Sequence, residues 1–275
     1  MTILVTGATG TVGIRVTELL AKRGARVRAF TRNAERARRL LPESLQIAEG
    51  DLMKPETIRD ALQGAEAMFL IVSSDEPDAD LQTDPQVVKL AEEAGVKRVV
   101  VLAGYEEGPV EESLRASGIQ WTLVKPAEFM ANALSDWRDT IRAEGVVREF
   151  HGRALSAKVH EGDIAEVVVE SLTGEGHHGR SYALTGPEAI TRHDAVRAIA
   201  EAIGKEIPFV ELSEEEAREQ WRKQGYDEES VEFFVRIAQD PPQAGIAVLP
   251  TVEQVLGRPA RTFAEWAEEH KHRFL

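Results

Sequence analysis

The chain has 275 residues, 43% of them hydrophobic, a formal net charge of −14 at pH 7 and no cysteine. That size buries a full core as one large or two small domains. The acidic balance excludes nucleic acid as a general partner, and the missing thiols exclude disulfides, thiolate metal sites and cysteine nucleophiles.

Residues 2–6 are β-branched and aliphatic, the pattern of a parallel strand buried on both faces. Gly7-Ala8-Thr9-Gly10-Thr11-Val12-Gly13 follows without a linker and leads into an amphipathic helix predicted over 12–23. A strand, then glycines three apart, then a helix is the context in which such a pattern binds a dinucleotide. Gly7 frees the sharp turn, Gly10 lets a pyrophosphate approach the backbone, and Gly13 lets the helix pack closely. The helix start supplies unpaired N–H groups and the positive end of a dipole. Residues 7–13 are therefore the expected diphosphate site.

The second strand, 26–30, ends at Thr31-Arg32-Asn33. An acidic residue at that tip would accept hydrogen bonds from a ribose 2′-hydroxyl. Arg32 suits a 2′-phosphate instead, so NADPH is expected in preference to NADH. Arg36, Arg38 and Arg39 read as a solvated basic helix face. A third strand, 45–49, closes on Gly50-Asp51-Leu52, and a short helix over 55–62 leads to a fourth strand, 66–72. Its end, Ser73-Ser74, lies where the nicotinamide-side ribose should pass.

An acidic loop over 75–84 feeds a helix at 85–94. The fifth strand, 96–102, opens onto Ala103-Gly104-Tyr105, and a helix over 110–117 precedes the sixth strand, 119–124, and Lys125-Pro126. Six strands alternating with helices predict a doubly wound parallel sheet of the Rossmann type, with ligands at the carboxyl ends of its strands. Gly7, Arg32, Ser73, Ala103 and Pro126 then surround one cleft.

The second half reads as a helix over 128–143 carrying Phe129, Met130, Leu134 and Trp137, a strand at 146–150, a helix at 162–172 and a strand at 181–184. A helix capped by Thr191 and ending at 202, a strand at 206–212 and three or four acidic helices follow. The expected division is a dinucleotide-binding core, 1–125 rejoined by about 157–185, and a smaller, mostly helical substrate-side lobe, 126–156 with 186–275. His177-His178 is a loop pair without carboxylates in register, so no metal site is expected. No apolar run approaches the ~18 residues of a membrane span and the first strand starts at Thr2, so a cytoplasmic protein is expected.

Several segments in order resemble the NmrA-like atypical short-chain dehydrogenase/reductases. They are the opening glycines, Leu114-Arg115-Ala116-Ser117-Gly118-Ile119-Gln120-Trp121-Thr122-Leu123-Val124-Lys125-Pro126, then Phe129-Met130-x-Asn132, Asp163-Ile164-Ala165 and Leu184-Thr185-Gly186-Pro187-Glu188. The resemblance implies that Gly7, Ala8, Thr9, Gly10, Thr11, Val12 and Gly13 hold the pyrophosphate and Arg32 the 2′-phosphate. It also implies that Asp51 and Leu52 flank adenine and that Pro126 to Phe129 pass the nicotinamide ring; Ser73, Ser74, Ala103 and Lys125, at the strand ends, are expected among the cofactor-binding residues as well. Asp163 is expected to be structural. The family holds triphenylmethane, azo and quinone reductases and also NADP-sensing regulators.

One departure stands out. Carbonyl-reducing short-chain enzymes supply a proton from a Tyr-x-x-x-Lys pair, aided by a serine at the end of the fifth strand. Here Ala103-Gly104 stands in the serine's place, and the fourth residue after Tyr105 is Pro109. The expected activity is NADPH-dependent reduction of a small conjugated or aromatic compound (a quinone, azo dye, enone or iminium ion), for which hydride delivery dominates. Tyr105 is the leading catalytic candidate, with Lys125, Glu128 and His160 as other proton donors. Tyr105, Glu128, Phe129, Met130 and Trp137 are the candidate substrate pocket. A small-molecule partner, no membrane, and a monomer or homodimer are expected. The alternative is a non-catalytic NADP(H) sensor acting through a protein partner.

Overall fold

The computed structural model describes residues 1–73, 81–104 and 106–275. They form two compact units, Met1–Pro126 with Glu161–Ala183 and Ala127–His160 with Leu184–Leu275.

The first unit alternates β1 (Thr2–Thr6), α1 (Thr11–Lys22), β2 (Arg26–Thr31), α2 (Ala34–Leu40), β3 (Gln46–Glu49), α3 (Arg59–Leu62), β4 (Ala67–Ile71), α4 (Gln86–Glu93), β5 (Arg98–Leu102), α5 (Pro109–Ala116) and β6 (Gln120–Pro126). The chain returns to it as α6 (Glu161–Thr173) and β7 (Arg180–Leu184). The strands form one sheet in the order β3-β2-β1-β4-β5-β6-β7. The pairings of β1 with β2 and β4, β2 with β3, β4 with β5 and β5 with β6 are all parallel.

A parallel sheet needs both faces covered, and the continuous apolar runs meet that need: Ile3, Leu4, Val5, Met68, Phe69, Leu70, Val99, Val100 and Val101 are all sealed from solvent. Alternate residues choose a face. Leu4, Met68, Leu70, Val99, Val101 and Leu123 pack with Val87, Val88 and Leu90 of α4 and Val110 and Leu114 of α5. Each buried Val or Leu contributes about 1.5–3 kcal/mol relative to exposure. Pro109 opens α5 at a position where its missing N–H costs nothing, and Glu111 accepts from the Gly108 N–H.

Strand order reverses between β1 and β4. There the buried Thr6 hydroxyl donates to the Phe69 carbonyl at 3.0 Å and accepts from the Ile71 N–H at 3.0 Å. One side chain thus ties the two strands whose onward connections diverge, which is where an open α/β sheet forms its crevice.

The second unit is mostly helical, with two small sheets. Leu155–Ser156 pairs antiparallel with Ile190–Thr191, and Val147–Phe150 pairs parallel with Phe209–Leu212. Its main core gathers Met130, Trp137, Val147, Ile199, Phe263 and Trp266.

The predicted helix over 128–143 takes a different form. Phe129 forms a parallel bridge with Val159, with Val159 N–H donating to the Glu128 carbonyl at 2.8 Å and Met130 N–H to the Val159 carbonyl at 2.9 Å. Two short helices follow, Asn132–Asp136 and Arg138–Glu144, broken at Trp137. The apolar spacing suits a helix, but pairing with a segment thirty residues away holds its first turn open. The acidic C-terminal region contains five α-helices among the described residues, Glu214–Lys223, Glu228–Gln239, Gln243–Ile246, Thr251–Leu256 and Phe263–His270, rather than three or four. No helix among the described residues is long and apolar enough to cross a membrane.

Candidate functional site

The turn from β1 into α1 separates the three glycines by role. Gly7 sits at φ +58°, in the left-handed region that a side chain disfavours by about 1–2 kcal/mol. Gly13 is pressed against that same turn: a Cβ there would lie 2.0 Å from the Gly7 carbonyl oxygen and 2.7 Å from its carbon. The close packing assigned to Gly13 is thus against the turn backbone. Gly10 differs from both, because a Cβ there would meet nothing nearer than the Gly7 oxygen, at 3.4 Å. The space above Gly10 is open.

Gly10 is also the N-cap of α1. It offers no side-chain acceptor, and the first turn carries no acidic residue. The opening N–H groups of α1 therefore lack the partners that a capping side chain supplies elsewhere in this chain, as Asn33 does for α2. A twelve-residue helix with open N–H groups and a bare glycine at its mouth is suited to a diphosphate. Ala8 and Val12 are buried and offer only backbone, whereas Thr9 is half-buried and Thr11 exposed.

At the tip of β2, Arg32 is exposed. Its neighbour Arg39 is paired with Glu35 at 3.4 Å. Asp51 lies past β3, and its carboxylate accepts from the Met53 N–H at 3.0 Å, making a tight turn rather than capping the helical stretch that follows. Leu52 is 4% exposed and packs into the core, so its backbone is what it can present to a ligand. Ser73 is exposed past β4; Ser74 lies outside the described residues.

Past β5, Ala103 is buried and its N–H donates to the Val124 carbonyl at 2.9 Å. Tyr105, the leading catalytic candidate, lies outside the described residues. Sequence reasoning missed Glu107. One of its carboxylate oxygens accepts from Lys125 Nζ at 2.8 Å and the other is ion-paired with Arg115. Those two cations hold the Glu107 carboxyl down at about 2. Arg115 is itself laid over the Trp121 ring, 5.0 Å from its centroid. Lys125, near the end of β6, is thereby fixed at the carboxyl edge of the sheet.

His177 and His178 have structural partners. The Thr122 hydroxyl donates to the His177 carbonyl at 2.8 Å, the Trp121 N–H donates to His178 Nδ1 at 3.2 Å, and His177 Nδ1 meets the Tyr182 hydroxyl at 2.9 Å. They fasten the approach to β7 onto β6.

In the second unit, Glu128 forms an ion pair with Lys158, whose side chain is only 5% exposed. Burial would raise the Glu128 carboxyl, but Lys158 and Arg192 outweigh it and hold it below its ordinary value. Asp136 behaves oppositely. Crowding by protein, then the nearby Glu149 and Glu128 carboxylates, push it up to about 7, although the side chain still reaches solvent. Phe129 is half-buried. Met130 and Trp137, expected in a substrate pocket, are core residues at 1% and 3% exposure, and the Trp137 Nε1–H is used by Glu149 at 3.2 Å. Their helical spacing reflects packing, as aromatic and Met stripes commonly do.

Comparison with known proteins adds to this geometry. A family described as NAD(P)H-binding matches residues 7–108. The chain is 37% identical to a (4-alkanoyl-5-oxo-2,5-dihydrofuran-3-yl)methyl phosphate reductase of Streptomyces griseus, over 99% of both chains. It is 34% identical to an NAD(P)H azoreductase of Xenophilus azovorans, again over 99% of both. Among solved structures, an NADPH-dependent quinone oxidoreductase of Escherichia coli complexed with NADPH matches with a TM-score of 0.80 at 24% identity, over 98% of this chain and 99% of the other.

Proposed function

This chain belongs to the NmrA-like family of NAD(P)H-binding oxidoreductases, and we propose that it uses NADPH to reduce a small, electron-poor conjugated compound, with alkenes flanked by carbonyls the favoured class. The observation that carries the cofactor half is the open Gly10 at the mouth of α1, beside two glycines that are closed to any side chain. Residues 7–13 hold the diphosphate, Arg32 meets the 2′-phosphate, and the carboxyl ends of β4, β5 and β6 carry the rest of the dinucleotide. Bound NADPH supplies the hydride.

The substrate half follows from what the site lacks. No serine stands at the end of β5 and no lysine four residues after Tyr105. A ketone needs a proton as hydride arrives, because a free alkoxide is a poor product at neutral pH. A conjugated acceptor passes the charge to a distant oxygen or nitrogen, and water can protonate it afterwards. The Streptomyces relative's name describes such a case, a ring C=C conjugated to a lactone carbonyl and an alkanoyl group. The azoreductase and quinone oxidoreductase names fit the same rule.

The test is loss of NADPH absorbance with a panel of acylated unsaturated lactones, quinones, azo dyes and saturated ketones. Turnover with the conjugated compounds and none with the ketones is expected. Turnover confined to ketones would overturn the substrate class.

A further inference from the structure

Hydride addition to a conjugated carbonyl needs something to meet the negative charge that develops on oxygen. If hydride adds to the β-carbon of C=C–C=O, the alkene π pair moves to form a new C=C bond toward the carbonyl carbon, and the carbonyl π pair ends on oxygen as an enolate. A proton from water then adds to the α-carbon and the C=O bond re-forms. Oxyanion stabilisation of this kind supplies a large share of catalysis in acyl and enol chemistry.

We propose that Lys125 is the oxyanion-binding group of this site, its ammonium hydrogen-bonding the substrate's carbonyl oxygen and strengthening that contact as the enolate forms. The inference rests on the conjugated-acceptor reading above. Four observations support it, all within the first unit. Lys125 lies in the last two residues of β6, at the carboxyl edge where this class of sheet binds ligands. Among the described residues its Nζ is held by one carboxylate oxygen, at 2.8 Å, and an ammonium has three donors. The post that holds it is itself fixed, because the other Glu107 oxygen is taken by Arg115, whose guanidinium lies on Trp121. Glu107 is shared with Arg115, so it does not neutralise the Lys125 ammonium outright, and an anionic oxygen is attracted to that ammonium.

Glu107 is a positioning residue in this arrangement. It fixes the direction of Nζ, yet its charge also competes with the substrate oxygen. The side chain of Lys125 is 21% exposed, so it is packed without being sealed from solvent. The end of β5 contributes Ala103 and Gly104 among its described residues, and neither carries a side-chain donor.

The experiment measures binding as well as turnover. p-Nitrophenol, whose phenolate absorbs in the visible, serves as the enolate mimic and is titrated into the NADP⁺ complex across pH. Wild type should bind the phenolate more tightly than the phenol. Lys125→Met should weaken phenolate at least 10-fold and by far more than it weakens phenol or NADP⁺, and Lys125→Arg should recover most of the loss. Glu107→Gln, which keeps an acceptor for Nζ but removes the competing charge, should tighten phenolate about threefold or more. Phenolate affinity unchanged in Lys125→Met overturns the proposal. So does NADP⁺ affinity falling in step with phenolate, which would make Lys125 a cofactor ligand. If Lys125→Met fails to fold, Glu107→Gln decides: unchanged or weaker phenolate binding refutes. A wild type that binds phenolate through Lys125 but reduces no acceptor would defeat the functional reading while leaving the oxyanion site intact.

Discussion

Gly10→Ala and Gly13→Ala are the same chemical change three residues apart, and the structure predicts opposite signatures for them. At Gly13 the added methyl would fall 2.0 Å from the Gly7 oxygen and 3.1 Å from the Ala8 Cα. An ordinary contact is more than an ångström longer, and the obstacle is backbone, so α1 must lift off the turn. Overpacking costs 1–3 kcal/mol where side chains can yield; here about 3 kcal/mol is expected. For a chain of this size that lowers Tm by roughly 6–12 °C. At Gly10 the added methyl would touch only the Gly7 oxygen, at 3.4 Å, and φ is −85°. Losing glycine at an N-cap costs some tenths of a kcal/mol, while the stiffer unfolded chain returns a similar amount, so Tm should move by no more than about 2 °C. The space that the methyl fills is the one assigned to the pyrophosphate. Gly10→Ala should therefore abolish the NADPH fluorescence titration in a fully folded protein, and Gly13→Ala should lose both stability and binding. A Gly10→Ala protein that binds NADPH within threefold of wild type would refute the cradle.

Other expectations follow from the same geometry. Arg32→Ala should weaken NADPH about 10- to 100-fold and NADH within about twofold, by calorimetry, because a charge-assisted phosphate contact contributes about 1.5–3 kcal/mol; equal weakening would sink the specificity assignment. Thr6→Val strands the Phe69 carbonyl and the Ile71 N–H, and should destabilise the chain by about 2–4 kcal/mol in urea titrations, with an unchanged midpoint counting against the tie. Asp136 titrates near 7 when folded, above its ordinary 3.8. The folded state thus binds more protons, and stability falls as pH rises through that window. Because the side chain reaches solvent, screening leaves about 1 kcal/mol of that loss. Asp136→Asn should accordingly raise Tm by a few degrees at pH 8 and leave it unchanged at pH 4; a gain at both pH values would contradict the electrostatic origin.

The sheet was legible because its central strands β1, β4 and β5 carry apolar runs and its glycines have steric jobs at fixed spacing. Gly7, Gly10 and Gly13 could be given separate roles from the sequence, since each role follows from a missing Cβ. The segment after Pro126 was not legible. Phe129, Met130, Leu134 and Trp137 keep helical spacing, but the bridge of Phe129 with Val159 is set thirty residues away, and local periodicity carries no trace of it. Lys125 was a candidate from its position at a strand end. Its partner Glu107 was not, because an ion pair between a loop and a strand eighteen residues later leaves no periodic signal. His177 and His178 looked like an idle loop pair for the same reason, and contact with Trp121, Thr122 and Tyr182 is what explains them.

The most direct test of hydride transfer follows an isotope. NADPH deuterated at C4 of the nicotinamide, first on one face and then on the other, is mixed with the wild-type protein and an acylated unsaturated lactone, and the product is examined by mass spectrometry. One of the two isotopomers should place a single deuterium on the β-carbon, with one NADPH consumed per product formed. NADPH that binds yet passes no deuterium to lactone, quinone or azo acceptor would contradict the assignment of this protein as a reductase.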